Sequence, residues 1–163
     1  MADILFSESF DSLGDYINFT SYIHTEYKSD YMQGVFNNDS GFISVLHKGN
    51  EIGSDRVLGE YYLRRASSSV LLSFDVYFPA NFNWGKGGKL NGLGPEKVVA
   101  GGYRKKIDGW SARLMFEADG VLASYNYFQN RSKKYGEGLK SSKNVLKKGM
   151  WNSIPDIPHQ IQE

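Results

Sequence analysis

The sequence contains no cysteine among its 163 residues. This absence excludes a disulfide scaffold, a cysteine nucleophile, a thiolate zinc site and thiol redox chemistry. Histidine is also scarce, and His24, His47 and His159 are too far apart for the usual spacing of metal ligands, so we expect no metal site. No apolar run reaches the roughly 18 residues that a membrane-spanning helix needs, so we expect no membrane association.

The length and composition predict one folded domain. Apolar residues make up 40% of the chain and aromatic residues 15%, which is enough to bury a core. A single domain is predicted over residues 1–153, because the chain is too short for two ordinary domains. Residues 154–163 are predicted to be an atypical tail, because Pro155 and Pro158 oppose strand pairing.

The charge is unevenly distributed along the chain. Residues 1–85 carry a net charge of −6, residues 86–148 carry +9 and the remainder carries −2, which gives +1 in total. A strongly basic segment attracts nucleic acids, acidic polysaccharides or anionic membranes, although the acidic half can also balance it in three dimensions. The basic run 131–148 shows no helical face and is predicted to be a solvated loop with a strand end.

Alternating apolar residues predict strands. In residues 70–78, Val70 and every second residue after it are apolar, which is the period of a strand with one buried face. Pro79 ends this strand. Residues 110–116 and 121–128 repeat the pattern on either side of Asp119-Gly120, a strong hairpin signal.

The remaining segments also favour strands over helices. Shorter strand candidates lie at 3–6, 33–37, 42–46 and 57–63, whereas the glycine-rich stretch 85–102 is predicted to be a long loop. No convincing helical stripe is present. Short strands separated by turns favour an all-β fold, an antiparallel β-jelly roll or concanavalin-like sandwich.

The register of the predicted hairpin decides which polar side chains share a face. With a two-residue turn, Arg113 would lie opposite Asn126 and the tyrosines would point away from it. With a three-residue turn at 118–120, Arg113 lies opposite Tyr125, and Ser111 lies opposite Tyr127. We predict the second register, because Gly120 suits the left-handed position that closes a three-residue hairpin.

The chemical use of a hydroxyl, a guanidinium and two phenols on one face depends on the substrate. Two tyrosines spaced in this way more often serve packing or sugar stacking, but the whole set also suits β-elimination on a uronic acid polymer. The reaction removes the proton on C5 and expels the oxygen on C4. A cation must first neutralise the uronate carboxylate, and the arginine fork matches its geometry. Tyrosine can act as acid or base if nearby cations lower its pKa from about 10. This chemistry needs no cofactor and no metal.

Three motifs carry a resemblance to a known family. They are the run 73–93 with its Gly-Gly-Lys-Leu-Asn-Gly-Leu end, the run 109–116 with Trp-Ser-Ala-Arg-Leu, and Tyr125-Asn-Tyr127. In this order they resemble polysaccharide lyase family 14, over roughly residues 57–153. The family includes alginate lyases and glucuronan-directed relatives, and its fold is a β-jelly roll with a cleft across the concave sheet.

The resemblance implies a lyase that cleaves an acidic polyuronate, with mannuronate-rich alginate as the leading candidate, to give 4,5-unsaturated ends. Its catalytic residues, carried over by motif, are Lys89, Ser111, Arg113, Tyr125 and Tyr127. Either tyrosine is expected to exchange protons, with Lys89 and Arg113 on the carboxylate and Ser111 beside them. Alternatively, Lys89 is the base if it is buried. Predicted contacts to neighbouring sugars are Lys86, Gln129, Asn130 and Arg131.

The chain also departs from the family. Asn91 stands where proline is common, and the family's later strands do not follow, so the jelly roll is expected to be incomplete at its C-terminal end. An inactive, lectin-like module that binds acidic polysaccharide is therefore the alternative function, and a nucleic-acid binder is a third and less favoured hypothesis. The family resemblance implies an extracellular protein, although the N-terminus shows no signal peptide. We expect a monomer.

Overall fold

A computed structural model of the chain describes residues 4, 6–10, 12, 14, 32–37, 40–45, 61–63, 65, 67–96, 98–99 and 109–160. The chain divides into two compact units, residues 1–66 and residues 67–163. Every predicted site residue lies in the second unit. Within the described ranges, no helix is long and apolar enough to cross a membrane.

The first unit contains an antiparallel hairpin. Strand β1, Met32–Asn37, pairs with strand β2, Ser40–Val45. The sequence candidates at 33–37 and 42–46 are therefore confirmed, with boundaries shifted by one or two residues.

The other two strand candidates of the first unit form no strand at those of their residues that the structure describes. Of the candidate at 3–6, Ile4 and Phe6 are described, and neither lies in a strand. Of the candidate at 57–63, residues 61–63 form no strand, and residues 57–60 lie outside the described residues. The ring of Phe6 instead packs on that of Tyr61, with 4.0 Å between the centroids.

The first sheet of the second unit pairs β3, Ser69–Tyr77, with β7, Trp151–Gln160, in antiparallel orientation. Along β3 the residues alternate between exposed and half-buried, as the sequence predicted. The sheet therefore has one face toward a core and one face toward solvent.

Strand β7 corrects the prediction that proline prevents pairing in residues 154–163. Phe74 pairs with Ile154 and Leu72 pairs with Ile157, so Pro155 and Asp156 together oppose Ser73. Two residues against one form a β-bulge, where a missing N–H costs no ladder hydrogen bond. The pairing continues beyond the bulge to Gln160.

The second sheet has the order β4-β5-β6, with β4 at Gly88–Leu93, β5 at Ser111–Phe116 and β6 at Leu122–Tyr127. Strand β4 contradicts the prediction of a loop over the whole of 85–102. Glycine weakens strand propensity, but a Cβ on Gly88 would lie 2.5 Å from the ring of Phe116 on β5. The glycines of this stretch therefore permit close approach to β5.

Part of the basic run 131–148 extends this sheet beyond β6. The backbone of Asn126 exchanges two hydrogen bonds with Glu137, at 2.7 and 2.9 Å, and the N–H of Ser124 donates to the carbonyl of Leu139 at 2.8 Å. The run was predicted to be a solvated loop with a strand end, and residues 137–140, which pair with the outer edge of β6, are its paired part.

The turn between β5 and β6 has three residues, Ala118–Gly120, as predicted. The N–H of Glu117 donates to the carbonyl of Val121 at 2.8 Å and closes it. Gly120 has φ of 79°, and Asp119 is also left-handed with φ of 61°. Both residue types tolerate this region better than most. The backbone of Leu146 also contacts Gly120 where a Cβ would lie.

The core of the second unit draws on both sheets. Phe78 is 4% exposed and packs edge-on against Phe116, with 5.4 Å between ring centroids, and against Trp84 at 4.7 Å. Leu114 of β5 and Ile154 of β7 are buried in the same cluster. The even-numbered residues of β5 thus face the core, and its odd-numbered residues are left for the opposite face.

Candidate active site

The predicted polar residues come together on the face of β5 and β6 opposite the core. Ser111 pairs with Tyr127, and Arg113 pairs with Tyr125. Directly opposed residues in an antiparallel pair share a face, so the predicted register is confirmed. Asn126 pairs with Ala112 and lies on the other face, also as predicted.

The two tyrosines form a contacting pair. Their hydroxyl oxygens are 3.4 Å apart, and their rings meet edge to face, with 5.5 Å between centroids. Tyr125 is half-buried, whereas Tyr127 is only 2% exposed. Tyr125 is therefore the member open to solvent, and Tyr127 lies behind it.

The pKa of Tyr125 is raised above the ordinary value of 10.0. Partial burial is the main cause, and the hydrogen bond with Tyr127 adds to it, while a hydrogen bond from the backbone of Gly136 and the positive charge of Arg113 act in the opposite direction. The condition stated above, a pKa lowered by nearby cations, is not met for this residue, because burial outweighs the lowering effect of Arg113. Tyr125 is protonated at neutral pH and can donate a proton.

Lys89 and Arg113 reach the same face from neighbouring strands. Lys89 pairs with Met115 across β4 and β5, and its Nζ lies 5.9 Å from the ring centroid of Tyr125. Lys89 is exposed, whereas the role of base predicted for it as an alternative requires burial. The ammonium and guanidinium groups thus flank the open tyrosine.

Gly92 makes room for Arg113. The two residues are paired across β4 and β5, and a Cβ on Gly92 would lie 2.7 Å from Cγ and 2.8 Å from Cα of Arg113. It would also collide with the carbonyl oxygen of Ala112. The glycine in the Leu-Asn-Gly-Leu motif therefore leaves room for the backbone and the first side-chain carbons of Arg113.

Replacing Gly92 with alanine is expected to destabilise the protein by about 1–3 kcal/mol, because the added methyl group forces β4 away from β5. Tryptophan fluorescence during chemical denaturation measures this, since all three tryptophans lie in the second unit. Gly94→Ala is the matched control, because its nearest contact is a movable methyl group of Val98 at 3.1 Å. Equal losses of stability in Gly92→Ala and Gly94→Ala would contradict the explanation that Gly92 is needed for the close approach of β4 and β5.

Ser111 is placed on the predicted face but is 1% exposed. Its Oγ donates a hydrogen bond to the carbonyl oxygen of Val99 at 2.8 Å. The hydroxyl proton of Ser111 is thus already donated within the protein, and only the oxygen lone pairs remain to accept a hydrogen bond from a ligand. Val99 was not identified from the sequence, since a backbone carbonyl leaves no signal in it.

The predicted sugar contacts separate into two groups. Lys86, Gln129 and Asn130 are exposed in turns. Arg131 is 2% exposed, and its guanidinium Cζ lies 4.8 Å from the ring centroid of Tyr127. Its place in the basic run predicted a solvated side chain, and this expectation is wrong because the turn after β6 folds the side chain back over Tyr127.

Gly136 was also missed by the sequence reasoning. A Cβ there would lie 3.0 Å from three carbons of the Tyr125 ring, so the ring rests on the glycine backbone. The available signal was the alternation of Gly136 and Gly138 after the tyrosine strand.

No group of three or more histidine, aspartate or glutamate side chains within the described part of the chain could hold a metal ion. Of the histidines considered above, His24 and His47 lie outside the described residues. The described candidate site thus consists of cations, phenols and one hydroxyl.

Comparison with known proteins places the chain in a family. The fold is similar to the crystal structure of alginate lyase vAL-1 from a Chlorella virus, with a TM-score of 0.69 and 19% sequence identity over 96% of this chain and 71% of that chain. No curated protein matches the chain significantly. Residues 25–155, most of the 163-residue chain, match the family description polysaccharide lyase 14. The chain therefore belongs to the polysaccharide lyase 14 family, as its motifs predicted, and has the family's all-β jelly-roll fold.

Proposed function

We propose that the protein cleaves an acidic polyuronate by β-elimination, with mannuronate-rich alginate as the leading substrate. The observation that carries this proposal is the convergence of Lys89, Arg113 and the tyrosine pair on one face of the β4-β5-β6 sheet. The similarity in fold to an alginate lyase supports the choice of polymer.

The carboxylate of the uronate is bound by the two cations. Removing the C5 proton places further negative charge on that carboxylate, so a cation at this position stabilises the transition state more than the ground state. Arg113 provides a planar fork for the two oxygens. Lys89, exposed beside Tyr125, provides a second positive charge at the same end of the site.

The tyrosine pair exchanges the protons. The pair, with one of its two phenols ionised, accepts the proton from C5, the electrons of that bond form the C4–C5 double bond, and the C4–O bond breaks. Tyr125, which is protonated at neutral pH and open to solvent, returns a proton to the departing oxygen. The pair gains one proton and loses one, and the products are an unsaturated uronate end and a new hydroxyl end.

The test is incubation of the folded protein with alginate, with glucuronan and with an uncharged polysaccharide. We expect ultraviolet absorbance from unsaturated ends with at least one polyuronate and none with the uncharged polymer. The Glu137→Gln variant, whose change lies outside the cluster of cations and phenols, is purified and assayed in the same way. It controls for effects of the preparation. A folded sample that gives no product from either polyuronate would reject lyase activity.

A second candidate function is binding without cleavage. The burial of Ser111 and Tyr127 favours it, because these two side chains have little access to a polymer. In that case alginate would bind to the protein and no absorbance would develop.

A further inference from the structure

Arg131, which lies outside the polar set on β4 to β6, places its guanidinium group against the tyrosine pair. It is 2% exposed and lies 4.8 Å from the ring centroid of Tyr127. Its Nη2 donates a hydrogen bond to the backbone carbonyl of Lys134 at 3.4 Å, and its own N–H donates to the carbonyl of Phe128 at 3.3 Å. The turn after β6 therefore fixes the cation in place.

A buried cation against a tyrosine ring has an electrostatic consequence. It attracts the π-face of the ring, and it favours the negatively charged phenolate over the neutral phenol, against the effect of burial, which by itself favours the neutral form. Both effects are stronger in a dry site than at the surface. The effect of Arg131 therefore falls on the buried member of the pair, Tyr127.

We propose that Arg131 is a positioning residue that holds the Tyr127 ring and lets the tyrosine pair carry one negative charge. This inference rests on the proposed function. It replaces the role of sugar contact that the sequence predicted for Arg131, because a side chain this deeply buried does not reach a polymer.

The protons move through the tyrosine pair in a defined order, and the negative charge returns to its starting place. Tyr127 begins as phenolate and Tyr125 as phenol, with their oxygens 3.4 Å apart. As Tyr125 accepts the C5 proton, its own proton moves to Tyr127. As Tyr125 gives a proton to the C4 oxygen, the proton on Tyr127 moves back. The pair ends as it began, with the phenolate beside Arg131.

Other charged groups lie on β4, on β5 and in the loop after β6, the described elements next to the pair. Arg113 on β5 and Lys89 on β4 lie toward Tyr125, at the open end. In the loop after β6, Lys134 lies 5.4 Å from the exposed ring of Tyr135. The carboxylate of Glu137 accepts a hydrogen bond from the N–H of Lys133 at 2.8 Å, which lowers its pKa.

The experiment compares Arg131→Met with Arg131→Lys in the full chain. Met removes the charge at similar volume, whereas Lys keeps it. We expect the alginate cleavage rate of Arg131→Met at neutral pH to fall about tenfold or more and to recover toward high pH, since an opposite charge nearby shifts a pKa by about 1–3 units. Arg131→Lys should recover most of the neutral rate.

A matched control is Lys134→Met. It removes a cation that lies over a tyrosine ring, but this ring is exposed. We expect the alginate cleavage rate of Lys134→Met to depend on pH in the same way as that of the unmodified protein. The backbone carbonyl that accepts from Arg131 is kept in this variant.

A measurement without substrate separates this inference from the proposed function. Alkaline titration of phenolate absorbance is done in a Tyr125→Phe background and taken as the difference between each protein and its Tyr125→Phe/Tyr127→Phe counterpart. The signal then follows Tyr127, because the coupled phenol of Tyr125 is absent. The midpoint should move to higher pH in Arg131→Met and return in Arg131→Lys, even if the protein shows no lyase activity.

Two results would overturn the inference. One is an unchanged Tyr127 titration in Arg131→Met. The other is a raised KM with an unchanged pH profile, which would make Arg131 a polymer contact. If Arg131→Met does not fold, Arg131→Gln carries the same comparison, because it keeps a donor for the carbonyl of Lys134.

Discussion

The Tyr125→Phe variant is expected to lower the rate of alginate cleavage by about 10²–10⁴-fold, the range that one positioned proton donor or acceptor contributes. Tyr125 is the half-buried member of the pair, and its raised pKa keeps it protonated at neutral pH. Phenylalanine preserves the ring that rests on Gly136 and removes only the hydroxyl that contacts Tyr127. The measurement is kcat from the absorbance of unsaturated ends.

Tyr135→Phe provides the matched control for this loss. Tyr135 lies only ten residues along the chain, also has a lysine over its ring, and is 54% exposed. We expect its kcat to match that of the unmodified protein. If Tyr125→Phe kept the full rate while both variants melted normally, the tyrosine pair would not be the route of the proton.

The second large effect concerns stability. Phe78→Ala should reduce the free energy of unfolding by about 3–5 kcal/mol, because a buried aromatic ring is lost and a cavity remains. The ring of Phe78 contacts those of Phe82, Trp84 and Phe116. This loss is a large part of the 5–15 kcal/mol typical of a whole domain. Chemical denaturation followed by tryptophan fluorescence measures it, and Trp84 reports directly on the site of the change.

Leu71→Ala is the control for the core. Leu71 is on β3, which ends one residue before Phe78; it lies on the exposed face of this strand and is 52% exposed. Its replacement should change the free energy of unfolding by no more than about 0.5 kcal/mol, as is usual on the surface. Similar losses at Leu71 and Phe78 would mean that the apolar face of β3 is not the one packed in the core.

The hairpin shows how much of the site is encoded locally. The alternation along β5 and β6 assigned each side chain to a face, and Gly120 indicated a three-residue turn. Together they predicted the pairing of Arg113 with Tyr125 before any tertiary information was used, and the structure has this pairing. Local patterns suffice here because the turn and the register involve only residues close in sequence.

The predictions that failed depend on partners distant in sequence. Strand β4 was hidden by its glycines, which are needed because β5 lies against them. Strand β7 was hidden by Pro155, which is tolerated because a bulge forms opposite Ser73 on β3. In both cases the neighbouring strand, about 20 to 80 residues away, determines whether the residue fits.

The sequence by itself determined the fold class, the hairpin register and the face that carries Arg113, Tyr125 and Tyr127. Only the tertiary structure decided how deeply each of them is buried. Folding brings the carbonyl of Val99 onto Ser111 and the guanidinium of Arg131 onto Tyr127, and it leaves Tyr125 as the open phenol. Burial depends on chain segments that pack over a residue, and proton affinity depends on burial, so neither follows from the alternation of side chains along a strand.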